Sequence, residues 1–157
     1  MSAMASAITF WERQRLRWIE RALTCSAASP EEPAHLTTGR RGELAAYGFL
    51  RRNGYTIVAR GWRSHICPGD LDLIAWEGEH LCVIEVKART TRDVATAEAA
   101  VDHQKRRTLR MLARRYLRLA GIPQSAARFD VVSVYFDSGH APEFTLYRNA
   151  FGFFSQQ

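Results

Sequence analysis

Cysteine and lysine are the scarce residues of this 157-residue chain. Cys25, Cys67 and Cys82 are odd in number and form no C-x-x-C pair, so neither a disulfide framework nor a zinc site is indicated. His65-Ile66-Cys67 is too short and too isolated to hold a metal. Long apolar runs are also missing, and none approaches the ~18 residues of a membrane span. The N-terminal stretch lacks the leading cations and apolar segment of a secretion signal. These absences lead to the expectation of a reduced, cytoplasmic protein with no membrane partner. What remains, 46% hydrophobic and 24% charged residues, is the composition of a globular domain with a real core.

Of the 22 cations only Lys87 and Lys105 are lysines. In so arginine-biased a chain, a lysine that persists points to something a planar, permanently protonated guanidinium does not do. The net charge is +6, and all of it lies in residues 37–157, because four arginines and four glutamates cancel within 1–36. A polyanionic partner is expected, nucleic acid first. A basic surface kept for solubility accommodates the charge equally well.

Residues 8–23 read as a short amphipathic helix, and the Ser-, Ala- and Pro-rich stretch after them as a linker, so 1–36 form an appended arm. The domain spans 37–150, with 151–157 as a tail. Thr37-Thr38-Gly39 suggest a helix cap and Asn53-Gly54 the end of that helix. Strands are expected over 55–63, 70–76, 81–89, 128–136 and 143–148. The longest helix is expected over 97–120, with Leu109, Leu112, Ala113, Tyr116 and Ala120 as its apolar stripe. The order α-β-β-β-α-β-β implies an α/β fold: a mixed central sheet flanked by helices, the long helix serving as a crossover.

Gly78-Glu79 is the Gly-X pair of a type II′ hairpin turn. That turn sets Glu77 against His80 and, continued outward, Asp72 against Glu85 and Asp70 against Lys87. One face of the hairpin then collects Leu71, Leu73, Ala75, Cys82, Ile84 and Val86. The other carries Ile74, Trp76, Leu81 and Val83 near the turn, and the acids with Lys87 at the far end. Carboxylates at cross-strand spacing repel one another yet can share a divalent cation such as Mg²⁺ or Mn²⁺. A structural salt-bridge cluster of Lys87 with Asp70 and Glu85 is the plainer alternative.

Asp72 followed by Glu85-Val86-Lys87 on the next strand resembles the PD-(D/E)xK nuclease signature. More narrowly, several segments together look like the small bacterial UPF0102 (YraN-like) family, itself similar to archaeal Holliday junction resolvases. They are Gly39-Arg40-Arg41-Gly42-Glu43-Leu44-Ala45-Ala46, Gly69-Asp70-Leu71-Asp72, Ile84-Glu85-Val86-Lys87-Ala88-Arg89, Lys105 and Arg128-Phe129-Asp130. The resemblance implies a restriction-endonuclease-like αβββαβ core and metal-dependent hydrolysis of phosphodiester bonds in DNA, branched or single-stranded DNA included. It implies Asp72, Glu85 and the Val86 carbonyl as ligands of Mg²⁺ or Mn²⁺, with Lys87 orienting the attacking water. Asp70 stands where the family usually has Glu and reaches one methylene less, so it ranks below Asp72. Glu43 is the extra acid, for a second ion or a water, although a first-turn glutamate is also what a helix dipole favours. A symmetric cut would call for a homodimer, by analogy.

Lys105 opens the long helix, and Arg106, Arg110, Arg114 and Arg118 recur on it every fourth residue. Like charges at that spacing cost a helix roughly 0.2–0.5 kcal/mol each, which phosphate contacts would offset. Lys105, Arg106, Arg110 and Arg114, with Arg89 near the acidic end, are the candidate nucleic-acid contacts, and a solvated basic helix face is the alternative for the stripe and for Lys105. The rival reading is a protein that binds nucleic acid within a repair or uptake assembly and does not cut it. Arg128 and Asp130 share a strand face, as an ion pair or as a substrate contact.

Overall fold

A computed structural model describes residues 34–90 and 101–154, with side chains from residue 38 onward. Its elements run α1 (Ala34–Arg52), β1 (Thr56–Ser64), β2 (Cys67–Glu77), β3 (His80–Arg89), α2 (His103–Ala120), a 3-10 turn (Gln124–Ala126), β4 (Ala127–Tyr135) and β5 (Glu143–Phe151). The arm expected over 1–36, the helix start over 97–100 and the last three residues lie outside the described residues, apart from the first turn of α1.

The strands form one sheet in the order β1-β2-β3-β4-β5. Only β3 and β4 are parallel, and α2 is the crossover that parallel pairing requires. Strand alternation sorts the two faces. Cys82 and Ile84 of β3 join Leu73, Ala75, Val132 and Val134 in a core closed by Ala46 and Leu50 of α1. Each large apolar side chain so buried contributes roughly 1.5–3 kcal/mol. The opposite face carries Val83 and Glu85 in register with Phe129 and Val131. α2 meets this face, burying Leu109, Leu112, Ala113, Tyr116 and Leu117 and reaching Glu85 through Lys105.

Gly42 fixes how closely α1 lies on β3. A Cβ there would stand 2.5 Å from the Cβ of Ala88, so only glycine allows this seat. The next residue is Glu43, which the close approach delivers to the sheet.

Several boundaries differ from expectation for local reasons. α1 starts at Ala34, so Thr37 and Thr38 lie inside it rather than capping it. α2 starts at His103, where the Asp102 carboxylate caps it by accepting the Lys105 N–H at 2.7 Å. β1 and β2 run on past their expected ends to pair as far as Ser64↔Cys67. β5 continues to Phe151, three residues beyond the expected end.

The β2–β3 hairpin has the predicted register from Glu77↔His80 to Leu73↔Ile84. Gly78 has a φ of 57° while Glu79 does not have a positive φ, as a type II′ turn requires. There the ladder stops, which corrects the expected opposition of Asp72 to Glu85 and of Asp70 to Lys87. The Asp72 carboxylate itself accepts the Val86 N–H at 2.7 Å, in the place of a partner-strand carbonyl. Beyond this point the sheet forks. β2 stays with β1, where Asp70 is paired with Arg63, and β3 stays with β4 as far as Arg89↔Tyr135.

Candidate active site

Glu85 lies at the fork with only 3% of its surface exposed. Its Oε1 is 2.9 Å from Lys87 Nζ, two residues along the same face of β3. Its Oε2 is 3.1 Å from Lys105 Nζ, one turn into α2. The first contact joins neighbours along one strand, and the second depends on the crossover placing α2 over the sheet. Oε2 is buried against the Lys105 ammonium, and a carboxylate oxygen with one such contact keeps further acceptor capacity. Burial opposes the charge of Lys105, but Glu85 and Asp72 outweigh it and hold the ammonium pKa above its ordinary value.

Asp72 is the second acid of the fork. Burial, and then the negative charge of Glu85, raise its carboxyl well above the usual carboxylate range, against the pull of the Val86 N–H and of Lys105. Glu43 reaches the fork from the α1 side. Burial and then Asp70 raise its carboxyl, with Arg60 and Arg40 opposing them and Glu85 adding a smaller push. Asp70 sits at the rim, where its Oδ2 is 3.3 Å from an Arg63 guanidinium nitrogen. The expected contact of Asp70 with Lys87 is not formed, because Lys87 turns to Glu85.

The donors present suit a hard cation. Asp72 and Glu85 offer carboxylate oxygens. The Val86 carbonyl points to the same side of its strand as the N–H that Asp72 holds. Among the described residues no group of three His, Cys, Asp or Glu side chains is arranged to hold an ion. A shell of two carboxylates, a main-chain carbonyl and waters is nevertheless the kind that Mg²⁺ accepts, since it dehydrates reluctantly.

The arginine stripe of α2 is used largely inside the fold. Arg106 donates from Nε to the Val101 carbonyl at 2.8 Å. Arg110 donates to the Gly152 carbonyl at 2.7 Å, and Arg114 to that of Phe153 at 2.7 Å. Arg106 and Arg110 also lie over the Phe151 ring. Main-chain carbonyls of the C-terminal segment thus relieve part of the repulsion along the stripe. Of the proposed nucleic-acid contacts, Lys105 is in the fork and Arg89 ends β3, half-buried.

Arg128 and Asp130 form a buried ion pair at 2.9 Å. Around it, Tyr55 donates to Asp130 at 3.3 Å, the Asn149 N–H donates to Asp130 at 2.9 Å, and Glu77 receives both Arg128 and Arg148. The hydrogen bond from Arg148, together with Arg128, holds the Glu77 carboxyl down to about 2. The Arg128–Asp130 ion pair is one of the two readings the sequence offered, whereas its extension to Tyr55, Glu77, Arg148 and Asn149, and the C-terminal clamp, were missed. For the missed partners the only signals were residues far apart in the chain, whose meeting depends on the order of the strands.

The sequence profile of the "Uncharacterised protein family UPF0102" matches residues 42–134, which span α1 from Gly42 through most of β4. A UPF0102 protein of Koribacter versatilis is 54% identical over 131 residues, covering 83% of this chain and 90% of the relative. One from Solibacter usitatus is 42% identical over 113 residues, covering 72% and 84%. One from Moorella thermoacetica is 41% identical over 100 residues, covering 63% and 81%. With the fork residues Glu43, Asp70, Asp72, Glu85 and Lys87 all inside the matched segment, this chain belongs to the UPF0102 family.

Proposed function

We propose that this chain is a nuclease that hydrolyses phosphodiester bonds in DNA with Mg²⁺ or Mn²⁺, and that the sheet fork is its active site. One observation carries the reading: the only two lysines of the chain converge on buried Glu85, beside half-buried Asp72. Gathering a second acid and two ammonium groups around one buried carboxylate carries a desolvation cost that apolar packing would avoid. Such a cluster is better explained by chemistry than by stability.

Asp72, Glu85 and the Val86 carbonyl would hold the ion, which when bound supplies Lewis-acid charge to a phosphate ester and a water nucleophile. Lys87, tethered to Glu85 Oε1, orients the water for in-line attack and offsets charge growing on the phosphate oxygens. Lys105 keeps Glu85 in place from the helix side. Glu43 can hold a water or a second ion at the α1 side of the fork. The basic surface then serves to bring the polyanion in.

The test is incubation with labelled duplex, single-stranded, flap and four-way-junction DNAs in Mg²⁺, Mn²⁺ or EDTA, beside Lys87→Ala and Asp72→Asn. Metal-dependent cutting by the wild type, lost in both variants with DNA binding retained, supports the reading. Salt-sensitive binding by all three proteins without cutting replaces the nuclease with a nucleic-acid-binding protein.

A further inference from the structure

From Trp62↔Leu71 to Ser64↔Cys67 the β1–β2 ribbon runs past the last β2–β3 pair, Leu73↔Ile84. Its base is anchored on α2. Trp62 meets Tyr116 edge to face with ring centroids 5.3 Å apart, and a Cβ on Gly69 would come within 3.0 Å of Thr108. Its tip is the two-residue turn His65-Ile66, and Ile66 is 70% exposed.

An isoleucine is a poor choice there. Hairpin tips use Gly, Asn or Asp, whose backbones or side chains favour the turn. Neither tip residue has a positive φ, and the turn is held instead by Ser64 Oγ accepting the Ile66 N–H at 3.3 Å. The Ile66 side chain therefore adds nothing to the turn and is outside the core. Between Arg60 and Gly69 the ribbon carries two arginines, one histidine and no acid. The Arg63 side chain is 78% exposed. A cleft of about 370 Å³ follows the ribbon from Arg63 and Ser64 to Asp70 at the rim of the fork.

An apolar tip with cations behind it on a rigid base is how proteins open a base step: the apolar side chain enters the stack while the cations hold flanking phosphates. We propose that Ile66 is a wedge that enters DNA where pairing is already interrupted, at a branch, a flap or a frayed end. Unstacking costs least at such sites. The proposal rests on the nuclease reading for placing DNA at the fork, and it narrows the substrate to duplex with a discontinuity. Ile66 is six residues from Asp72, at most about 20 Å at the rise of a strand. Cuts should therefore fall within roughly six nucleotides of the discontinuity, at about 3.4 Å per nucleotide.

The experiment uses the full chain in EDTA, titrated against flap, four-way-junction and plain duplex DNAs with 2-aminopurine beside the discontinuity or at the equivalent duplex position. Wild type and Ile66→Leu should raise the 2-aminopurine fluorescence of the branched DNAs. Ile66→Ala should lose that rise and about tenfold in affinity for them, with duplex affinity and melting temperature unchanged. The proposal is overturned by an undiminished fluorescence rise with Ile66→Ala. It is equally overturned by a loss of affinity common to duplex and branched DNA, or by sedimentation showing that Ile66→Ala only splits a dimer. The two readings fail separately. Cutting in Mg²⁺ without any fluorescence rise removes the wedge and leaves the nuclease. A fluorescence rise without cutting in any metal removes the nuclease and leaves the wedge.

Discussion

Lys87 and Lys105 approach opposite oxygens of one buried carboxylate, at 2.9 and 3.1 Å from Glu85. One lysine comes from the same strand and the other from the crossover helix, so the charge of Glu85 is doubly compensated. Lys87→Ala or Lys105→Ala alone should cost about 1 kcal/mol, because the remaining ammonium still faces Glu85. The double variant leaves a buried unpaired charge and should cost about 3–5 kcal/mol. Urea unfolding of the four proteins measures this coupling; simple additivity would show that the lysines act independently.

Asp72→Asn keeps an acceptor for the Val86 N–H and removes one of two neighbouring negative charges. In EDTA the variant should gain about 1 kcal/mol, as functional sites commonly do when their strained groups are neutralised. In millimolar Mg²⁺ the wild type should gain melting temperature by binding the ion in its folded state, and the variant should not. Thermal unfolding with and without Mg²⁺ reads both effects.

Gly42→Ala forces a methyl against Ala88 and should cost about 1–3 kcal/mol by overpacking. Gly39→Ala, in the same helix with nothing within 4 Å of its Cβ, should instead gain about 0.5–1 kcal/mol. Opposite signs in melting temperature confirm that it is the seat of α1 on β3, and not helix propensity, that demands glycine at 42.

Glu77 has a folded-state pKa of about 2 against an ordinary 4.5. A depressed acid contributes stability that is complete above about pH 4.5 and lost as the pH falls toward 2. Glu77→Gln should flatten the pH dependence of unfolding in that window. An unchanged acid limb would assign acid sensitivity to other carboxylates.

Arg114 donates to the Phe153 carbonyl at 2.7 Å. Removing it with Arg114→Ala should loosen the C-terminal segment, at a cost of about 0.5–1.5 kcal/mol, and speed amide exchange over residues 151–154. Unchanged exchange together with a reduced salt slope for DNA binding would return this arginine to the phosphate-contacting set.

The element order was legible because apolar spacing and glycine turns are local signals. Gly78-Glu79 set the hairpin register correctly through Leu73↔Ile84. It did not reveal where the register ends, because that depends on whether a side chain displaces a main-chain partner, as Asp72 does at Val86. The acids and Lys87 were visible as a motif. That Lys105 completes the cluster follows from tertiary packing of α2 on the sheet, which spacing does not encode. The arginine stripe was visible as charge, but its use on the carbonyls of 152–153 was not, since β5 runs longer than its apolar pattern suggested.

Two lysines in the whole chain also give it an unusual chemical property. Apart from the α-amine, every primary amine that an acylating reagent can reach belongs to one carboxylate's surroundings. Acylation of intact protein, followed by mass, thus becomes a count of how open the fork is. Anything that occupies the fork or reorganises Glu85 changes how fast those two mass increments appear, with no probe or mutation introduced.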